Sequence, residues 1–184
     1  MSRIGKLPIQ LPAGVSLEVD ANNLVTVKGP KGTLTQQVSK DITVSVENNT
    51  VVLSINDNKN VNSNAKHGLY RALLNNMVVG VKDEFKKNLV VNGVGYKVSK
   101  QGNKIVMNLG LSHNVEVEEE NGVRLEVKDN LITCVGISKE AVGAMAAKIR
   151  ATRPIEPYHG YGIRYEDEKV SLKEGKSSGK GGKK

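Results

Sequence analysis

A run of short alternating strands, an Asn-containing turn and a capped helix occurs twice in this chain, and the duplication limits its fold more than any other feature. ITVSVENN at Ile42 can be laid over VRLEVKDN at Val123, so the two copies stand about 80 residues apart, the mark of an internal repeat. In the first copy Val15, Leu17 and Val19 alternate with other residues, as do Ile42, Val44 and Val46, then Val51, Leu53 and Ile55. Period two over such short runs predicts half-buried strands. GPKG at positions 29–32 and Asn48-Asn49 read as hairpin turns. The first is no nucleotide-binding loop, because the glycine spacing and the following helix are missing. Ser63 is the expected cap of a helix from Asn64 to about Val79, stopped by Gly80. Its sheet-facing stripe would be Ala65, Gly68, Leu69, Ala72, Leu73 and Asn76.

The second copy begins with Leu89 to Val91 and Tyr96 to Val98 around Gly93 and Gly95, followed by Ile105 to Leu109. Val115 and Val117 alternate, then Val123, Leu125 and Val127, with a turn at Asp129-Asn130 before Leu131 to Val135. Ser138 should cap a second helix whose Val142, Met145, Ala146 and Ile149 recur at helical spacing. The pattern predicts an α+β chain of two tandem similar domains, each a small, mainly antiparallel sheet covered by one helix. Residues 1–82 form the first domain, 83–170 the second and 171–184 a lysine-rich tail, with the join near Lys82-Asp83. Ahead of the first strand, SRIGKLPIQLP at residues 2–12 reads as an extended arm outside the core. Lacking apolar residues after Leu172, the tail is expected to be disordered.

The formal net charge of +8 favours a polyanionic partner, and its distribution sharpens that expectation. Residues 1–82 carry +4, residues 83–168 carry −1, and the last sixteen carry +5. Acid gathers at Glu116 to Glu120, read as a solvated strand edge, and at Glu166 to Glu168. That leaves one concentrated stretch, RATRPIEPYHGYGIRY from Arg150 to Tyr165. Lys148, Arg150 and Arg153 should close the second helix, where cations sit favourably. Pro154 forbids its continuation, and Pro157 is expected to keep the next segment extended. Tyr158, Tyr161 and Tyr165 then alternate with Gly160, Gly162 and Arg164. Tyrosines offer faces to bases, arginines pair with phosphates, and glycines let backbone approach a ligand, so the stretch reads as a nucleic-acid contact. On the same chemistry Lys148, Arg150, Arg153, Gly93, Gly95, Tyr96 and the tail lysines Lys173, Lys176, Lys180, Lys183 and Lys184 join it.

Other chemistries lack their residues. His67, expected on a helix surface or edge, His113, expected in a loop, and His159 have no Cys or acidic partners at metal-ligand spacing, so neither metal nor cofactor is expected. No nucleophile stands with a base and no carboxylate pair is evident, so the chain is not expected to be an enzyme or to take a small-molecule substrate. Cys134 is alone, in an apolar strand, and is expected in the core of a protein from a reducing compartment. The first residues lack a signal peptide's apolar core and no apolar run would span a bilayer, so a cytoplasmic protein without a membrane partner is expected.

Five blocks in order, SRIGKLPI, LPAGV, VKGPKGTL, GVGYKV and RPIEPYHGYGIRYEDE, resemble the family of the sixth protein of the large ribosomal subunit in its bacterial form. Where that family usually reads PYKGKGIRY, this chain has His159 and Tyr161 in place of two lysines. The resemblance implies a structural protein that binds large-subunit (23S) ribosomal RNA, chiefly through its second domain. It further implies a ribosome-bound position near the stalk base and the sarcin–ricin loop, among other large-subunit proteins and where translation factors dock. It carries RNA contact onto Tyr158, Gly160, Gly162, Ile163 and Arg164, and onto His159 and Tyr161. A free-standing RNA- or DNA-binding regulator is the alternative reading.

Overall fold

The computed structural model describes residues 2–56 and 61–176. In chain order the elements are β1 (Ile9–Gln10), β2 (Ser16–Val19), β3 (Leu24–Gly29), β4 (Gly32–Gln37), β5 (Ile42–Glu47), β6 (Thr50–Ile55) and α1 (Val61–Asp83). There follow β7 (Phe85–Asn92), β8 (Lys97–Gln101), β9 (Lys104–Asn108), β10 (Val115–Glu118), β11 (Arg124–Lys128), β12 (Leu131–Gly136), α2 (Lys139–Thr152) and β13 (Gly162–Tyr165). Two compact units result, Met1–Phe85 with Val135–Val142 and Lys86–Cys134 with Gly143–Lys184. The α+β class and its repetition are as expected. In each half of the chain the strands divide between two sheets, ordered β1-β6-β5 and β2-β3-β4, then β10-β9-β8 and β11-β12-β7-β13.

The turn chemistry explains the hairpins. Asn48 (φ 44°) and Asn49 (φ 62°) both take the left-handed conformation that a two-residue turn of matching twist requires. They set the β5–β6 register, Glu47 opposite Thr50 and Ile42 opposite Ile55. With one phenylalanine and no tryptophan in the chain, aliphatic residues build the interior. Val25, Val27, Ile42, Val51, Leu74 and Val81 are buried in the first unit, and Leu89, Ile105, Met107, Leu125, Ile132 and Ile149 in the second. Cys134 is buried as expected, and burial pushes its thiol up to about 11.

The N-terminal segment is not a free arm. Ile9 and Leu11 are core residues, and β1 pairs antiparallel with β6, Ile9 opposite Val51. Ahead of it residues 3–6 form a turn in which Lys6 N–H donates to the Ser2 carbonyl. Gly5 is buried there, and a Cβ on it would come within 2.6 Å of three atoms of the His67 ring. His67 is itself fully buried, not a surface residue, and its Nε2 lies 3.0 Å from the Leu53 carbonyl oxygen. A carbonyl only accepts, so that nitrogen carries the proton.

Helix α1 differs from expectation at both ends and in its facing. Ser63 lies inside it, buried. Gly80 does not stop it, because the residue sits where the helix passes so close to the Ile137 carbonyl that a Cβ would collide. The terminator is Glu84, left-handed at φ 58°, whose N–H donates to the Gly80 carbonyl at 3.0 Å. The buried stripe is Ser63, His67, Leu74, Met77, Val78 and Val81, with Tyr70 packed beside it. Leu69, expected to face the sheet, is 53% exposed.

Alanine ordinarily stabilises a helix interior by about 1 kcal/mol over glycine. Gly80→Ala should instead destabilise by about 1–3 kcal/mol, the usual cost of overpacking. Urea unfolding of the full chain checks the sign.

Candidate nucleic-acid interface

The candidate interface begins where α2 stops. Ser138 caps that helix as expected, its Oγ accepting from Ala141 N–H at 3.3 Å. Val142, Met145, Ala146 and Ile149 are its buried face. After Thr152 the chain turns back on itself. Ile163 N–H donates to the Arg153 carbonyl at 2.8 Å, and Glu156 N–H to the Tyr161 carbonyl at 2.9 Å. Pro154 and Ile163 form a parallel bridge, while β13 pairs antiparallel with β7 on its other side, Gly162 opposite Asn92.

Residues 157–159 form a turn, not the extended segment expected after Pro157. The cause is Glu156. Its carboxylate accepts from the backbone N–H groups of Tyr158 at 3.1 Å, His159 at 2.5 Å and Tyr161 at 3.5 Å, the last a weak contact. Burial pushes this carboxyl up, but those three donors and the neighbouring His159 outweigh it and hold the group below its ordinary range. Gly160 takes φ 74°, and its carbonyl accepts from Asn92 Nδ2 at 2.9 Å. Lys173 N–H donates to the Pro157 carbonyl at 2.8 Å, and Leu172 lies against Gly160. The tail is therefore tethered at the residue where disorder was expected to begin, and Lys180, Lys183 and Lys184 lie outside the described residues.

The aromatic groups divide into two sets. His159 and Tyr161 stack on each other, ring centroids 5.4 Å apart and planes 16° from parallel. Tyr158 is 55% exposed and Tyr161 36%. Tyr165 is engaged internally, with Lys87 Nζ 4.9 Å and the Arg150 guanidinium 5.5 Å from its ring centre. Tyr96 packs over Gly93, where a Cβ would come within 2.5 Å of its ring, and its hydroxyl accepts from Arg153 Nε at 3.3 Å. Gly93 thus answers to a close approach of this ring.

Several residues marked as contacts serve the fold. Gly162 lies where a Cβ would stand 2.6 Å from Ile155 Cα, and Ile163 is fully buried, so its side chain offers nothing to a ligand. Arg150 forms a two-pronged pair with Glu168, Nε to Oε2 at 3.0 Å and Nη2 to Oε1 at 2.6 Å. Each raises or lowers the other's proton affinity toward the charged form. Arg164 Nη1 donates to the Glu168 carbonyl, and Lys148 pairs with Glu120 at 2.8 Å. The acidic run is likewise matched by lysines, Glu116 with Lys104 and Glu119 with Lys100, and is more than a solvated edge. Lys97, Lys169, Lys173 and Lys176 keep no such partner among the described residues and are exposed. Gly95 is at the open tip of its turn beside Val94, which is 83% exposed.

The sequence reading missed Glu156, Asn92, Val94 and Glu168. None of them left a local signal: the Glu156 carboxylate bonds the backbone of the following turn, but glutamate is not among the residues whose side chains mark a turn in sequence. Among the described residues no cluster could hold a metal ion, and no helix is long and apolar enough to cross a membrane.

Comparison with known proteins agrees with this architecture. The family model for ribosomal protein L6 matches residues 11–84 and 92–166, one segment for each copy of the repeat. The large ribosomal subunit protein uL6 of Clostridium kluyveri is 51% identical over 98% of this chain and all of its own. That of Ruminiclostridium cellulolyticum is 50% identical over the whole of both, and that of Clostridioides difficile 52% over 98% of this chain and all of its own.

The Glu156 carboxyl, held below its ordinary 4.5, stabilises the loop fully above that value and ceases to as pH falls through the depressed one. Amide exchange at Tyr158 and His159 should therefore stay slow from neutral pH down to about 4.5. In Glu156→Ala it should be fast throughout that range.

Proposed function

The chain belongs to the ribosomal protein L6 family, and on that premise we propose that it is a structural constituent of the large ribosomal subunit whose second unit holds 23S ribosomal RNA in place. The contact surface is the turn of residues 156–161 with the tip at Val94-Gly95 and the nearby unpaired lysines. On this reading the protein lies near the stalk base and the sarcin–ricin loop, among other large-subunit proteins and close to where translation factors dock. No reaction is involved, and RNA is positioned by charge and shape.

The observation that carries the reading is how the cations are used. Lys148 and Arg150 are held by Glu120 and Glu168, whereas Lys97, Lys169, Lys173 and Lys176 are exposed and have no acidic partner among the described residues. A lysine already neutralised by a carboxylate releases few counterions on meeting a phosphate, and an unpaired one releases its full share. Phosphate contacts of this kind fix a protein on RNA without reading its sequence.

Two measurements test this. The protein should sediment with the large subunit after a high-salt wash; release into the supernatant would favour a free-standing regulator. In titrations of 23S RNA, Lys173→Ala with Lys176→Ala should flatten the dependence of log affinity on log salt by roughly 0.7–0.9 per lost contact. Lys148→Ala should leave that slope close to the parent's.

A further inference from the structure

We propose that the turn at residues 156–161 receives an unpaired nucleobase by stacking and does not receive a phosphate, an inference that rests on the RNA-binding reading above. A turn rich in glycine beside a helix end normally suggests anion capture, because its free N–H groups converge on a negative ligand. Here that possibility is closed from inside. The N–H groups of Tyr158, His159 and Tyr161 already donate to the Glu156 carboxylate. That carboxylate is held ionised, and its Oε1 lies 3.3 Å from His159 Nδ1. A phosphate brought to the same place would meet a fixed negative charge, and three of the turn's N–H groups already engaged by it.

What the turn does present is a pair of aromatic faces. His159 and Tyr161 are stacked nearly parallel, and the His159 side chain is 70% exposed. Neither ring needs to be ordered when a base arrives. Gly160 between them is fixed by Asn92, and Pro157 by the backbone of Lys173. A planar base added to the stack extends it by one layer at little entropic cost, and every base has the face required. Only an unpaired, splayed base can reach such a platform, which defines the ligand as single-stranded or bulged RNA.

The test uses the full chain and 23S RNA at about 0.1 M and about 0.3 M salt, a range over which each phosphate contact shows a strong salt effect. Tyr161→Ala should weaken binding by about 5- to 150-fold, the range typical of a lost stacking partner, and by a similar factor at both salts. Tyr161→Phe should stay within about twofold of the parent, because it keeps the face. The chain has no tryptophan, so tyrosine is its fluorophore, and stacking of a base should quench part of its emission in the parent and in Tyr161→Phe excited alongside the remaining tyrosines less so. If Tyr161→Ala binds like the parent, or loses affinity only at low salt, the stacking proposal falls while RNA binding stands. If Tyr161→Phe loses as much as Tyr161→Ala, the face is not what matters and the proposal also falls. If the parent itself fails to bind the RNA, both readings fall together.

Discussion

The candidate interface depends on the closeness with which the chain returns past itself at Gly162. A side chain there would collide with Ile155, so only glycine lets β13 lie against residues 153–156 on one side and β7 on the other. That double attachment sets everything nearby. It places Ile163 in the core, turns Arg164 toward the Glu168 carbonyl and leaves residues 156–161 as a short closed loop. With the ends of that loop fixed, one carboxylate suffices to organise its interior.

Electrostatics in the second unit follows from the same economy of space. By sequence residues 83–168 carry 12 basic and 13 acidic side chains, yet these are not mixed at random. Lys100, Lys104, Lys148 and Arg150 each find a carboxylate across 12 to 28 residues of chain. These exposed pairs contribute little stability, typically 0–1 kcal/mol apiece. Their larger effect is subtraction: they neutralise these four cations where they stand, so the charge open to a partner comes from lysines without a carboxylate among the described residues. Net charge alone would have spread a modest attraction over the surface.

Legibility from sequence varied with the kind of interaction. The buried face of α2 could be read because Val142, Met145, Ala146 and Ile149 are all apolar. That of α1 could not, because its first half is written in Ser63, His67 and Tyr70, and the apolar residues Leu69 and Ala72 point elsewhere. The hairpin turns were legible because asparagine tolerates the conformation they need. The turn at 157–159 was not, since its cause is a side chain bonding to backbone, and Pro157 suits an extended segment and a turn equally well. Arg150 and Lys148 were read as free cations, but their partners Glu168 and Glu120 are remote in sequence and leave no local trace. The arm at residues 2–12 failed for the same reason: its place in the core is decided by β6 and His67, more than 40 residues on.

The pairing of β1 with β6 also has a consequence for the protein as it is made. Strand β1, Ile9–Gln10, has as its partner Thr50–Val51, made later, and Gly5 has to await His67. At about 5–20 residues per second of synthesis, the leading segment spends several seconds with Arg3, Lys6, Ile4 and Leu7 unsupported before its place exists. Later on, β7 waits in the same way, because both its neighbours, β12 and β13, follow it in the chain. Each half of the chain is thus opened by a strand that only a later segment can seat, so vectorial synthesis runs against the order in which the sheets can close.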